Sequence, residues 1–457
     1  MTTASLQFLQ ERFGNDLGSD RWWRRVAIEG TPIVSAVGRG RAQVVFLWRD
    51  PEGDETASAT RQVYIDINSI ADHHSAPTSL QRIEGTNVWR WSMEVESNWR
   101  GGYCFIPVDA TRLPPAFDAA APNAGATLRS WRLALLDHAQ TDPLNPGAPH
   151  IDGRGLLRSA AHLPEAPAQP AWRDADRRKG ARGDSNRLQR IEWESERLRN
   201  RRNIWIYATG PTLGATKQRP LILLLDGQYW AGGMPIFSAL DHETQAGALP
   251  PSVYALIDSL DVETRARELP CHATFWEAVQ EELLPQIAAA APFAGDPRRT
   301  VVAGQSFGGL AALYAGLRWP ERFGCALSQS GSFWWSDAYA QKSAAPPASA
   351  ALDDKSEVIA ALIGKTKSAS APLRIFMEAG SFEKIIRSAN DRVHQALIAT
   401  GRDARYRIYT GGHDPLCWRG GLLDGLSFLL AERRSTDGRG GTRDASALSF
   451  EASHIEE

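Results

Sequence analysis

Ser306 lies in Gly304-Gln305-Ser306-Phe307-Gly308, a Gly-x-Ser-x-Gly pattern that follows the β-branched run Thr300-Val301-Val302 and precedes Leu310-Ala311-Ala312-Leu313. A strand that turns abruptly into a helix at such a serine exposes the hydroxyl as a nucleophile for acyl transfer. The first N–H groups of the helix, that of Phe307 foremost, then point at the developing oxyanion. A serine hydroxyl is a weak nucleophile near neutral pH, so it needs a base within hydrogen-bond reach and an acid that orients the base. His413, in Gly411-Gly412-His413-Asp414, is the candidate base: it falls in a loop between a strand and the last helix, whereas His394 falls inside a predicted helix and His454 in the C-terminal tail. The acid is expected in the loop after the penultimate strand, where Glu378 and Glu383 compete. Glu383 is favoured because it lies out on the loop, free to reach a histidine, while Glu378 takes the expected strand end. Asp414, beside His413, is expected to point away from the ring. A second oxyanion donor is expected after an early strand, in Leu225-Asp226-Gly227-Gln228-Tyr229, with the N–H of Gln228 as candidate and Asp226 holding the loop.

The elements that position these groups follow from pattern. From Gln189 onward short apolar runs alternate with helical ones: strands at 203–208, 221–225, 254–257, at Val301 before the serine, and at 327–330, 373–378 and 405–409, with helices at 275–289, 385–400 and 422–433. Such alternation implies a mainly parallel sheet covered on both faces, hence an α/β fold. Before it, 43–48, 61–67, 88–95 and 102–108 are rich in Val, Ile, Trp and Tyr and are separated by turn signals such as Asp50-Pro51-Glu52-Gly53. Strands at this spacing predict an immunoglobulin-like β-sandwich. The expected organisation is a β-sandwich over 1–160, a linker or loop over 161–188, an α/β unit over 189–434 and an unstructured tail over 435–457. The aromatic and arginine run Asp20-Arg21-Trp22-Trp23-Arg24-Arg25 is expected to pack an N-terminal arm onto the sandwich.

The 457 residues are 43% hydrophobic and 23% charged, with a formal net charge of −2. That balance gives no whole-chain attraction to nucleic acid or to an anionic membrane. Four scattered cysteines (104, 271, 325, 417) form no C-x-x-C pair, so neither metal nor redox cofactor is expected. The first residues lack a signal-peptide core and no run of about eighteen apolar residues occurs, which leads to an expectation of a cytoplasmic protein with no membrane partner. Oligomeric state is left open.

Several motifs in this order carry a family resemblance. Leu225-Asp226-Gly227, Pro270-Cys271, Gly304 to Gly309, Trp319-Pro320-Glu321-Arg322-Phe323-Gly324, Ser328-Gln329-Ser330-Gly331-Ser332 and Gly411 to Asp414 with Trp418 resemble the esterase D type of α/β-hydrolase. Within that type, Val253 to Asp258 followed by Arg265-Ala266-Arg267-Glu268-Leu269-Pro270, and Phe333-Trp334-Trp335, resemble the enterochelin (enterobactin) esterases, and the resemblance extends over the N-terminal β domain. It implies hydrolysis of the serine ester bonds of a ferric catecholate siderophore, releasing dihydroxybenzoylserine units and loosening the iron. Ser306, Glu383 and His413 would be the catalytic group. Some relatives work with a Ser-His pair, so the acid is the member the resemblance fixes least. The implied substrate is flat-ringed and anionic, and arginine and tryptophan suit it. Arg265, Arg267, Trp334 and Trp335 are accordingly the expected binding residues. Other readings are a feruloyl or acetyl-xylan esterase, which would ordinarily carry a signal peptide, and a non-catalytic siderophore-binding protein, which would have no need of intact Ser306 and His413.

Overall fold

The structure, a computed structural model, describes residues 3–68, 70, 77–114, 124–177, 185–211, 218–335, 357–365 and 373–431. The C-terminal half is built on eight strands: β1 (Leu188–Ser195), β2 (Asn200–Ala208), β3 (Leu221–Leu225), β4 (Val253–Ile257), β5 (Thr300–Gln305), β6 (Cys325–Gln329), β7 (Arg374–Gly380) and β8 (Asp403–Tyr409). They lie side by side in the order β1-β2-β4-β3-β5-β6-β7-β8. From β4 to β8 every pairing is parallel, while β1, β2 and β4 pair antiparallel.

The apolar runs follow from burial on both faces, because alternate side chains of one strand enter different cores. Leu221, Leu223 and Leu225 of β3 join Phe275, Trp276, Val279 and the helix Phe307–Arg318 on one face. Ile222 and Leu224 join Trp230, Phe237, Leu240, Leu422 and Leu426 on the other. Strand β1 was not expected. Its sequence, LQRIEWES, alternates with charged residues because it is an edge strand with one wet face.

Two boundaries differ from the sequence reading in ways that matter for the site. Strand β7 continues past Glu378 to Gly380. The last helix begins at Pro415 rather than near 422 and runs to Leu430. A Cβ on Gly421 would clash with a Glu378 oxygen, so the helix gives up a side chain there to let the β7 carboxylate in. The expected tail, 435–457, lies outside the described residues.

The N-terminal half is a two-sheet sandwich. One sheet holds 33–38, 41–49, 88–96 and 81–82 in that order; the other holds 78–79, 62–67, 100–108, 157–162 and 150–151. Val44, Phe46, Trp48 and Trp89 of the first face Val63, Ile65, Tyr103 and Phe105 of the second across a shared core. The helix Asp20–Glu29 lays Trp22, Trp23 and Val26 over Val45 and Leu47 on the outer face of the first sheet. Part of the stretch expected as a linker is ordered: the second sheet reaches His162, and Trp172 is 1% exposed in the core beneath the last helix. Asp176 and Gln169 bind Arg419 of that helix, at 2.7 and 2.8 Å for the carboxylate and 2.6 Å for the amide oxygen.

Candidate active site

Ser306 is the single residue between β5 and the helix Phe307–Arg318, with φ 57° and ψ −119°. Such a left-handed conformation is costly for a residue with a Cβ and is held here by its surroundings. Its N–H donates to Gln329 O at 3.0 Å. Gly304 is sterically required: a Cβ on it would lie 2.5 Å from the carbonyl carbon of Gly308. The Ser306 hydroxyl is 3.2 Å from that of Ser332, and no hydrogen bond joins it to His413. Catalytic hydrogen bonds are commonly loose in ligand-free sites and tighten when substrate binds.

His413 lies in the short loop between β8 and the last helix, its side chain 36% exposed and set edge-on to Trp418 at 4.7 Å. Nδ1 is 2.5 Å from Glu383 Oε1. With Nδ1–H donated to the carboxylate, Nε2 is left as the ring's proton acceptor. Glu383, 7% exposed, is itself fixed: Oε2 accepts from Gly380 N–H at 2.6 Å, Ser330 Oγ at 2.7 Å and Tyr409 OH at 3.2 Å. Trp418 Nε1 donates to Ser330 Oγ and Tyr409 OH, each at 2.9 Å, closing the network.

The other two acids face elsewhere. Glu378 is fully buried inside the sheet, with Arg407 at 2.6 Å and Gln329 Nε2 at 2.6 Å. Burial pushes its carboxyl up, and Arg407 opposes that shift. Asp414 caps the last helix through Leu416 N–H at 2.8 Å, and its other oxygen accepts Gly102 N–H at 2.6 Å.

Phe307 N–H belongs to the first turn of its helix, where backbone donors have no intrahelical acceptor. Gln228 begins the short helical stretch after β3, and its side chain accepts Ser259 N–H at 3.0 Å. Asp226, at φ 56°, binds Arg265 through two oxygens at 2.6 and 2.8 Å and Ser259 Oγ at 2.6 Å. Burial alone would raise the Asp226 carboxyl, but Arg265 holds it below its ordinary range.

The four expected binding residues separate in space. Arg265 spends its charge on Asp226, also donates to Gln305 O at 3.3 Å, and lies over the Phe307 ring, tying the loop after β3 to the serine turn. An arginine so paired has its charge matched by a buried carboxylate, where the sequence reading expected an anion contact. Trp335 is 7% exposed and packs within the sheet core. Trp334 is half-buried and packs on Phe307 at 5.8 Å, beside the serine. Arg267 is the most open, 61% exposed, with only long contacts to Thr264 and Glu268.

The polar network of Ser330, Tyr409 and Trp418, and the Ser332 hydroxyl, were not singled out as site residues, although Tyr409 directly precedes Gly-Gly-His and the two serines stand in a Ser-x-Ser-Gly-Ser run. Among the described residues no group of three or more His, Cys, Asp or Glu could hold a metal ion. No helix among them is long and apolar enough to cross a membrane.

Residues 43–172 match the family described as enterochelin esterase, N-terminal, and residues 195–429 match the Esterase family. The chain is 49% identical over 419 residues to an iron(III) enterobactin esterase of Dickeya dadantii, covering 90% of this chain and 93% of that protein. It is 43% identical over 415 residues to the iron(III) enterobactin esterase of Escherichia coli K12, covering 90% and 96%. Among solved structures, the ferric enterobactin esterase of Salmonella typhimurium superposes with TM-score 0.77 at 43% identity, covering 90% of this chain and 98% of that one. The enterobactin esterase of Shigella flexneri, crystallised in the presence of enterobactin, superposes with TM-score 0.76 at 41% identity, covering 91% and 99%.

Proposed function

The chain belongs to the enterobactin (enterochelin) esterases, and from that premise we infer that it hydrolyses the ester bonds of ferric enterobactin to dihydroxybenzoylserine units, in the cytoplasm, so that iron can be released. The observation that carries the mechanism is the 2.5 Å contact between Glu383 and His413, in a loop beside a serine on a strand-to-helix turn. Ser306 Oγ attacks the ester carbonyl while His413 Nε2 takes its proton, and Glu383 holds the ring and stabilises the imidazolium that forms. The N–H groups of Phe307 and Gln228 take the charge on the carbonyl oxygen. The C–O bond to the leaving serine hydroxyl breaks with return of the proton from His413. Water, activated by the same histidine, then clears the acyl-enzyme. On this reading Arg267 and Trp334, the exposed cation and the aromatic beside Phe307, meet the anionic, flat-ringed substrate.

Chromatography of ferric enterobactin after incubation with the protein tests this reading. The parent chain releases linear and monomeric dihydroxybenzoylserine, and Ser306→Ala, which removes one hydroxyl and leaves the fold, keeps about a thousandth of the rate or less. Parent-like turnover by Ser306→Ala would overturn it.

A further inference from the structure

The loops that carry the catalytic groups follow the C-terminal ends of β3, β7 and β8, and each touches the N-terminal sandwich next to the residue that matters. Beside His413, Asp414 is fully buried and accepts the N–H of Gly102, a residue of the sandwich strand Arg100–Val108, at 2.6 Å. In the first turn of the helix that follows, Cys417 Sγ donates to Arg100 O at 3.3 Å. Beside Glu383, Phe382 packs against the sandwich core. Beside Gln228, Tyr229 OH donates to Ile151 O of the sandwich at 2.9 Å. A loop with Gly411-Gly412 has much conformational freedom to lose. Small displacements of a base or an oxyanion donor are expensive in rate.

We propose that the sandwich is a positioning element for the chemistry: docked across the ends of β3, β7 and β8, it holds His413, Glu383 and the Gln228 N–H in register, so that hydrolysis of an ester too small to touch the sandwich still depends on it. Asp414 and Gly102 are the positioning residues at its centre. A side chain at Gly102 would be tight: a Cβ there would lie 3.0 Å from His150 Cε1 and Nε2 and 3.3 Å from Asp414 Oδ2, so the ring or the carboxylate would have to give by a few tenths of an ångström. A methyl at 102 would press on the loop of His413 from one side and on the His150 ring from the other.

The proposal rests on the Ser306–His413–Glu383 reading, and the test separates the two. Full-length variants are assayed on nitrophenyl acetate, with melting temperature recorded for each. Asp414→Asn and Gly102→Ala are expected to lower kcat about tenfold or more with KM little changed. Adding His150→Ala to Gly102→Ala is expected to restore most of that loss, because it clears the ring against which the methyl pushes. A substitution that only loosened the fold would be worsened by that second truncation. Where Ser306→Ala is inactive, and folded Asp414→Asn and Gly102→Ala keep kcat within about twofold of the parent on the small ester, the positioning role is overturned and the catalytic reading stands. Activity in Ser306→Ala would overturn the catalytic reading and the proposal built on it. Should Gly102→Ala not fold, Asp414→Asn and Tyr229→Phe decide: about tenfold and threefold losses of kcat support the role, and parent-like values overturn it.

Discussion

Glu378 and Glu383 stand on either side of the end of β7 and are put to opposite uses. Glu378 lies within the strand, in register with Gln329 of β6 and Arg407 of β8, and those neighbours take up both of its oxygens. Its charge is cancelled where it sits. Glu383 lies past the sheet, where its partners other than His413 are neutral: a backbone N–H and two hydroxyls. They fix the carboxylate without neutralising it, so its charge stays available to an imidazolium formed at His413. The difference lies in what each acid is paired with, since both are deeply buried.

The widest separation of the two acids is expected in turnover. Glu383→Gln should lower kcat on ferric enterobactin and on a nitrophenyl ester alike by about a hundredfold or more, because an amide can hold the ring in the wrong tautomer. Glu378→Gln, which keeps its Gln329 contact, should stay within about threefold of the parent. Equal losses would erase the contrast, and no loss in either would mean that a Ser-His pair suffices.

Stability should rank them the other way. Arg407→Ala leaves the Glu378 carboxylate buried without its cation, a change expected to cost about 3 kcal/mol in a denaturant titration while kcat on the small ester remains near the parent value. A large fall in kcat with unchanged stability would show that Glu378 acts on the chemistry.

Tyr409→Phe tests the supports of Glu383 more gently. It removes the hydroxyl that donates to Gly412 O at 2.9 Å and reaches Glu383 at 3.2 Å. A net loss of about 1 kcal/mol and a fall in kcat of about threefold to tenfold are expected, read by melting and by initial rates. A variant with parent kcat would leave Gly380 N–H and Ser330 as sufficient supports.

The smallest effect concerns pH. His150, buried near Asp414, has no hydrogen-bond partner on either ring nitrogen among the described residues. Burial holds its pKa below the ordinary 6.5, against the pull of Asp414. The unfolded chain therefore binds the proton more readily than the folded one, so the stability tied to this neutral ring is complete above about pH 6.5 and is lost as pH falls below it. His150→Gln should make the fall in melting temperature between pH 7 and 5.5 shallower by about 2 °C. An unchanged slope would assign the acid sensitivity to other groups.

What was legible in the sequence divides along the range of the forces involved. The serine turn is a local matter: Gly304 is demanded by its contact with the Gly308 backbone within one turn, and β3, β4 and β5 announce themselves by apolar runs that only two-faced burial explains. His413 could be placed because one histidine fell between the last strand and the last helix. The choice between Glu378 and Glu383 turned on where β7 ends, and strand ends are set by cross-strand pairing that a single sequence does not display. The partner of Arg265 was hidden for the same reason. Asp226, across the turn from it, was read as a loop-holding residue without its cation, and the arginine was left free to be assigned to a ligand. The hydroxyl network around Ser330 and the contacts of the sandwich join residues from distant stretches and leave no periodicity to read.

One such contact has a consequence in time. Gly102 and Asp414 are 312 residues apart, so a ribosome adding about 5–20 residues per second needs roughly 15–60 s to pass from one to the other. The sandwich is complete and waiting for most of that interval, while the histidine has not yet been made. Acyl transfer therefore waits on the end of the chain, and a chain broken off before Asp403 would be a sandwich beside a sheet that lacks its last strand and the histidine.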